Sequence, residues 1–246
     1  MTGQYGPLWE AFWTDLPKRT GEAFWDCAPS VGAATHVELF APFIDRTLPF
    51  VDVGCGTGTQ TAYFGGLFDR VIGVDIADAA LAFAGRHNAR DNVEYRKLDV
   101  LDLDEVTAFH ERFGDVNVYL SGVIHQLSPA DRLACARALA TLAGAGGCVF
   151  DQELTPASYQ YMQELIADAG DQLPKLDRVS LYFRIGLQPA AGEAELESIF
   201  AAADFDVIQA GDLMLRTTET MADGTGLDLP TRYVVARPKT VAPTAA

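Results

Sequence analysis

Along the first 150 residues, apolar and polar positions switch between two periods. Short apolar runs ending at glycine or aspartate read as buried strands. Longer stretches with apolar residues three and four apart read as helices. The run "LPFVDVG" (48–54) predicts a first strand, followed by a helix over 59–67. A second strand is predicted at "DRVIGVD" (69–75) and a helix at 77–89, with Asp78 as its cap. "NVEYRKLDV" (92–100) reads as the third strand and 103–113 as the third helix. "DVNVYLSG" (115–122) is the fourth strand, and the helix at 128–143 opens on Ser-Pro and stops at Gly144. "GGCVFDQEL" (146–154) is the fifth strand. Such alternation predicts a parallel sheet with helices on both faces. Ligands of these sheets lie beyond the carboxyl ends of the strands.

After Leu154 the pattern changes. Residues 155–190 carry mixed helical stretches, and a helix is predicted over 192–203. "FDVIQAGDLML" (205–215) and "TRYVVARP" (231–238) read as two strands joined by a turn-rich link, so they are expected to pair antiparallel. At the other end, Leu8, Trp9, Phe12, Trp13 and Leu16 fall at helical spacing over 7–17. This helix either docks on the core or covers an apolar pocket as a lid. The expected organisation is a single domain over 1–246. It divides into an N-terminal helical cap (1–46), a core (47–154), an insert (155–190), and a closing helix with antiparallel strands (191–239).

Composition is that of an ordinary globular chain, with 49% hydrophobic and 21% charged residues. The net charge of −16 argues against a nucleic-acid partner, because phosphate backbones are held by clustered Lys and Arg. The four cysteines, Cys27, Cys55, Cys135 and Cys148, form no CxxC pair and no zinc spacing with histidine, so no metal site is expected. They read as small buried hydrophobes of a reducing compartment. The N-terminus lacks the pattern of a signal peptide and no apolar run reaches the roughly 20 residues of a membrane span. A cytoplasmic protein without a membrane partner is expected.

The candidate chemistry centres on "FVDVGCGTGTQT" (50–61), which places Gly54, Gly56 and Gly58 at alternate positions between a strand and a helix. Glycines there let the chain turn sharply and bring main-chain amides and a helix N-terminus close to a ligand. A dinucleotide fingerprint would need a third glycine at 59, where this chain has Thr59. Asp52 is a poor neighbour for a pyrophosphate; a ligand with a cation near Asp52 and a carboxylate near the amides suits the charges better.

These residues resemble the first motif of the class I S-adenosylmethionine-dependent methyltransferases, and the resemblance extends to about residue 153. "VIGVDIA" is similar to the second motif, implying that Asp75 binds the ribose hydroxyls with Ile76 beside the adenine. "YRKLDVLDL" resembles the third, implying that Asp99 accepts from the adenine amino group with Val100 as backbone neighbour. "DVNVYLSGVIHQLSP" resembles the fourth-strand motif and its loop, which puts Ser121 near the methionine moiety. The cofactor-binding set implied is Asp52, Gly54, Cys55, Gly56, Gly58, Asp75, Ile76, Asp99, Val100 and Ser121. The resemblance implies a Rossmann-like α/β fold with a seven-stranded sheet, mostly parallel with an antiparallel last strand. It also implies S-adenosyl-L-methionine as cofactor and S-adenosyl-L-homocysteine as product.

For the chemistry beyond the cofactor, His125 in the loop after strand four is the candidate catalytic base, since histidine titrates near neutrality. His36, His87 and His110 read as structural. Asp151 and Glu153 share one face of strand five, and either orient a substrate, act as a base, or are solvated. No Asn/Asp-Pro-Pro-aromatic motif follows strand four, where the chain has Leu120-Ser121-Gly122-Val123. With the acidic charge, this points to a small, apolar or aromatic metabolite as acceptor. The acceptor atom and the oligomeric state stay open. Two other classes remain: a cyclase-like protein or scaffold that holds the same cofactor without transferring methyl, and a nucleotide-cofactor oxidoreductase.

Overall fold

Apolar runs too short for helices pair here into the core of one sheet. The computed structural model describes residues 2–16, 18–169, 173–183 and 195–239. Seven strands lie in the order β3-β2-β1-β4-β5-β7-β6. β1 (Phe50–Val53), β2 (Val71–Asp75), β3 (Val93–Lys97), β4 (Asn117–Ser121) and β5 (Val149–Leu154) are parallel, and β7 (Gly226–Pro238) runs antiparallel between β5 and β6 (Phe205–Thr220). β1 and β4 are neighbours though far apart in the chain, so strand order reverses between them, where a ligand crevice is expected.

Period-two alternation sorts the side chains of each strand to two faces. Val51, Val53, Ile72, Val74, Val118, Leu120 and Val149 point to one face, where α5 (Leu103–Phe113), α6 (Pro129–Ala143) and α9 (Glu195–Ala202) cover them. Phe50, Tyr119, Phe150 and Tyr233 point to the other and pack against α2 (Ala33–Phe40) and α3 (Thr59–Phe64). α4 (Asp78–His87) packs beside β2 and β3. A third apolar cluster joins α1 (Tyr5–Asp15) to α7 (Pro156–Ala169), α8 (Pro174–Phe183) and the far end of β7, through Phe12, Trp13, Tyr159, Met162, Leu176 and Leu229.

Several boundaries differ from expectation. The helix after β1 ends at Phe64 rather than 67. Asp78 is the first residue of α4 and not its cap; Ala77 holds that position without a side-chain bond. The N–H of Ala79 is instead satisfied by Glu10 Oε2 of α1 at 3.1 Å. β3 stops at Lys97, so Asp99 lies in the turn beyond the strand. The turn-rich link between the last two strands is largely strand: β6 and β7 continue as a ribbon until Thr220 pairs with Gly226. Residues 184–194, which include the expected insert boundary and the first residues of the predicted helix over 192–203, lie outside the described residues.

Candidate active site

The carboxyl ends of β1, β2, β4 and β5 open onto a cavity of about 200 Å³. Tyr5, Trp9 and Trp13 of α1 roof it, and Met214 and Leu215 of the hairpin form part of its wall. α1 is tied down at both sides of the opening. Tyr5 Oη donates to Asp131 Oδ2 (2.8 Å) and accepts from the N–H of Ser128 at the start of α6 (2.9 Å), while Glu10 reaches α4. The helix expected at 7–17 is thus docked and covering at once.

All but one of the expected binding residues line this cavity: Asp52 of β1, Gly54, Cys55 and Gly56 of the loop after it, Asp75 at the end of β2 and Ile76 beyond it, Asp99 and Val100, and Ser121. Gly58 does not reach it. It caps α3 at φ 77°, and a Cβ there would lie 2.8 Å from Ala84 Cβ and 2.5 Å from Tyr95 Oη. Its glycine is needed for packing between α3, α4 and β3. Gly56 is at φ 51°, and a Cβ would come within 2.9 Å of the Trp13 ring, so only glycine lets the indole lie on the loop.

Most amides of the loop are already engaged within the protein, although the glycines were expected to bring them to a ligand. The N–H groups of Gly54 and Cys55 donate to Val74 O at 2.8 and 3.0 Å, and that of Gly58 to Cys55 O at 2.9 Å. Gly56 N–H donates to Asp75 Oδ2 at 2.9 Å. The loop therefore offers shape and close approach more than free donors. Asp75 Oδ1 accepts from Ala77 N–H, also at 2.9 Å. The Ile76 N–H also acts on this carboxylate, which keeps acceptor capacity beyond its backbone donors.

The acids here are unusual. Asp52 accepts a 2.5 Å bond from Thr61 Oγ1, yet burial, with the nearby Asp75 adding to it, pushes its carboxyl up to about 7. Burial pushes Asp75 up to about 6 against the lowering effect of its backbone bonds. Asp99 is also raised, chiefly by burial, and accepts from Leu101 N–H at 2.9 Å. Among the described lining residues Arg216 is the only lysine or arginine, and it pairs with Asp228. A cluster of buried acids without a nearby cation fits a ligand bearing positive charge and hydroxyl donors.

His125 lies in a short 3-10 turn after β4 and is 5% exposed. Glu153 organises that turn: Oε1 accepts from the N–H groups of Val123 (2.9 Å) and Ile124 (2.7 Å), and Oε2 from that of His125 (3.1 Å) and from its ring Nδ1. Burial raises the Glu153 carboxyl, but the charge and hydrogen bonds of His125, and the other donors, outweigh it, so the group sits below its usual range. Asp151, on the same face, is fully buried with neither oxygen hydrogen-bonded among the described residues. Burial first and the Glu153 carboxylate second push it well above the carboxylate range. Neither acid is solvated. The Nε2 of His125 meets the side-chain amide of Gln126 at 2.6 Å, and Arg132 braces the loop through Leu127 O at 3.0 Å. Across the floor, Ser121 Oγ donates to Gln152 Oε1 (3.1 Å) and Gln152 Nε2 to Thr231 Oγ1 (2.7 Å). His87 and His110 lie on helices and do not line the cavity; His36 does.

Sequence reasoning missed Trp13 as a partner of the loop, Gln126 as the neighbour of the candidate base, and Glu10 as the acceptor for the Ala79 N–H at the start of α4. Only the helical spacing of the tryptophans hinted at the first.

Residues 50–147 match the sequence model of a family described as a methyltransferase domain. Over those residues the chain is similar to that domain, as the resemblance to the class I S-adenosylmethionine-dependent methyltransferases implies. Among relatives, the chain is 33% identical over 129 residues to the ubiquinone biosynthesis O-methyltransferase of Nitrosomonas europaea, covering 50% of this chain and 51% of that one. It is 27% identical over 168 residues to the O-methyltransferase cnsE of Penicillium expansum, covering 66% and 54%. The chain thus spans about half the length of the curated relatives it matches. Its fold is shared with a solved S-adenosylmethionine-dependent methyltransferase from Anabaena variabilis, with a TM-score of 0.86 and 24% identity over 96% of each chain. Among the described residues, no helix is long and apolar enough to cross a membrane, and no group of acids, cysteines and histidines could hold a metal ion.

Proposed function

We propose that this chain methylates an oxygen of a small apolar or aromatic molecule, with His125 as the base. The observation that carries the reading is the carboxylate-held imidazole of His125 in the same cavity as the glycine loop and Asp75. The cofactor supplies a methyl group on a sulfonium, open to in-line attack. Asp75 would hold the ribose hydroxyls through its remaining acceptor capacity, and Asp52 would face the positive end. Asp99 and Val100 would border the adenine, with Ile76 beside it, and Ser121 the methionine moiety.

Glu153 fixes the ring of His125 so that Nδ1 carries the proton and Nε2 presents a lone pair. Gln126 occupies that lone pair in the free protein, and an arriving hydroxyl would take its place. The proton of the hydroxyl then passes to Nε2 as the oxygen attacks. The aromatic roof of α1 would exclude water from the reacting atoms. The names of the relatives support oxygen as the acceptor atom. The net charge of −16 supports a small molecule over a nucleic acid. The free thiols of all four cysteines support a reducing, cytoplasmic setting.

The test is release of S-adenosylhomocysteine with a panel of phenols. His125→Ala should slow release by ~10²-fold or more while S-adenosylmethionine affinity stays at the parental value. Cofactor uptake without release from any phenol would favour a protein that holds the cofactor without transferring methyl.

A further inference from the structure

His36 reads as structural in the sequence, yet it reaches the cavity from the face of the sheet opposite Glu153. It lies on α2, 5% exposed, with Nδ1 bonded to Tyr119 Oη at 2.9 Å. Its ring stacks on Tyr119 and Phe150, with centroids 5.9 and 5.1 Å away, so its orientation is fixed. Burial pushes its pKa down to about 4, so the imidazole is neutral. The second nitrogen, Nε2, makes no hydrogen bond among the described residues, and the side chain borders the cavity. The same cavity is lined by the apolar Trp13, Phe24, Trp25 and Met162. A locked polar nitrogen left open in an apolar cavity is a recognition group, since a bound molecule that gives it no partner leaves it desolvated and unpaired. His125 does not fill this role, because Glu153 holds its Nδ1, its Nε2 is the atom that faces the reacting hydroxyl, and it approaches from the loop after β4.

We infer that His36 determines specificity: its Nε2 hydrogen-bonds a second oxygen on the acceptor, distinct from the hydroxyl that faces His125. The favoured substrates are then aromatic rings carrying two oxygen substituents. This inference rests on the proposed reading of the site. The two side-chain amides separate the roles of the ring nitrogens. Asn reproduces the position of Nδ1 and keeps the Tyr119 bond but withdraws the group facing the cavity. Gln reproduces the position of Nε2.

Calorimetry on the chain saturated with S-adenosylhomocysteine should compare the three dihydroxybenzenes with phenol. The parent should bind the best dihydroxybenzene roughly tenfold or more tighter than phenol. His36→Asn should lose that preference and His36→Gln should keep most of it, with unchanged S-adenosylhomocysteine affinity in both. If His36→Asn does not fold, Tyr119→Phe, which frees the ring to turn, should shrink the preference instead. An undiminished preference in the folded Asn or Phe variant, or no preference in a parent that binds S-adenosylhomocysteine, overturns the inference alone. A parent that does not take up S-adenosylhomocysteine overturns the reading of the site and the inference with it.

Discussion

Replacing Glu153 by glutamine keeps the shape of the side chain and removes its charge. Four donors converge on this carboxylate: the amides of Val123, Ile124 and His125, and Nδ1 of His125. A glutamine retains one oxygen, which can serve Val123 and Ile124. Its NH2 then faces the two donors of His125. A buried donor left without an acceptor costs about 1–3 kcal/mol, so two cost about 2–6 kcal/mol. Relief of a buried charge beside Asp151 offsets part of this, leaving about 2–4 kcal/mol. At roughly 2–4 °C per kcal/mol for a chain of this size, the melting temperature should fall by ~5–15 °C. Calorimetric melting checks this, and turnover should fall as well because the ring of His125 loses the group that sets its tautomer. The pH dependence gives a sign. Glu153 has a lowered pKa, so its contribution is present above the unfolded carboxylate value and lost as pH falls through the folded one. The gap between parent and variant should therefore narrow in acid. A Glu153→Gln protein that melts within about 2 °C of the parent at neutral pH, with full turnover, would refute the account of this loop.

Other outcomes follow from the same geometry. Asp75→Ala should weaken S-adenosylhomocysteine binding by about 10–100-fold in calorimetry, through loss of a charged acceptor for hydroxyls; unchanged affinity removes Asp75 from the site. Gly58→Ala adds a left-handed penalty of about 1–2 kcal/mol and an overpacking cost of about 1–3 kcal/mol against Ala84 and Tyr95, seen as a lowered denaturation midpoint. Asp52 and Asp75, raised to about 7 and about 6, are uncharged in acid; the free chain loses stability as pH rises through that window. Affinity for the cationic S-adenosylmethionine should rise over the same window, and Asp52→Asn should flatten the rise; titrations between roughly pH 5.5 and 8 measure both.

The parts of this protein legible in its sequence are those whose causes are local. The helices at 103–113 and 129–143 match expectation because Asp102 and Ser128 cap them with their own side chains. The start of α4 was misjudged because its donor is satisfied by Glu10, distant in the chain. The polar stretch after Leu215 lacks a strand pattern because it pairs as a ribbon beyond the sheet rather than inside it. In the site, Asp75 and Ser121 were visible because each falls at a strand end; Asp52 falls one residue short of its strand's end. That Asp75 already holds the amide of Gly56, that Trp13 lies on that glycine, and that His36 borders the cavity depend on packing between elements. No local spacing encodes such packing.

The overhanging part of the β6–β7 ribbon has a consequence for how such a cavity can be retuned. β5 pairs β7 only over Thr231–Ala236, so the ribbon past Pro230 is free of the sheet core. There Leu227 and Leu229 alternate inward, and Met214 and Leu215 wall the cavity. Lengthening both arms by two residues would preserve which side chains face in and deepen the wall. Adding one residue to one arm would turn the later side chains inside out unless a bulge absorbs it, as β6 already does between Val207 and Gln209. The depth of this wall can therefore change in even steps or at a bulge, with the central strands untouched.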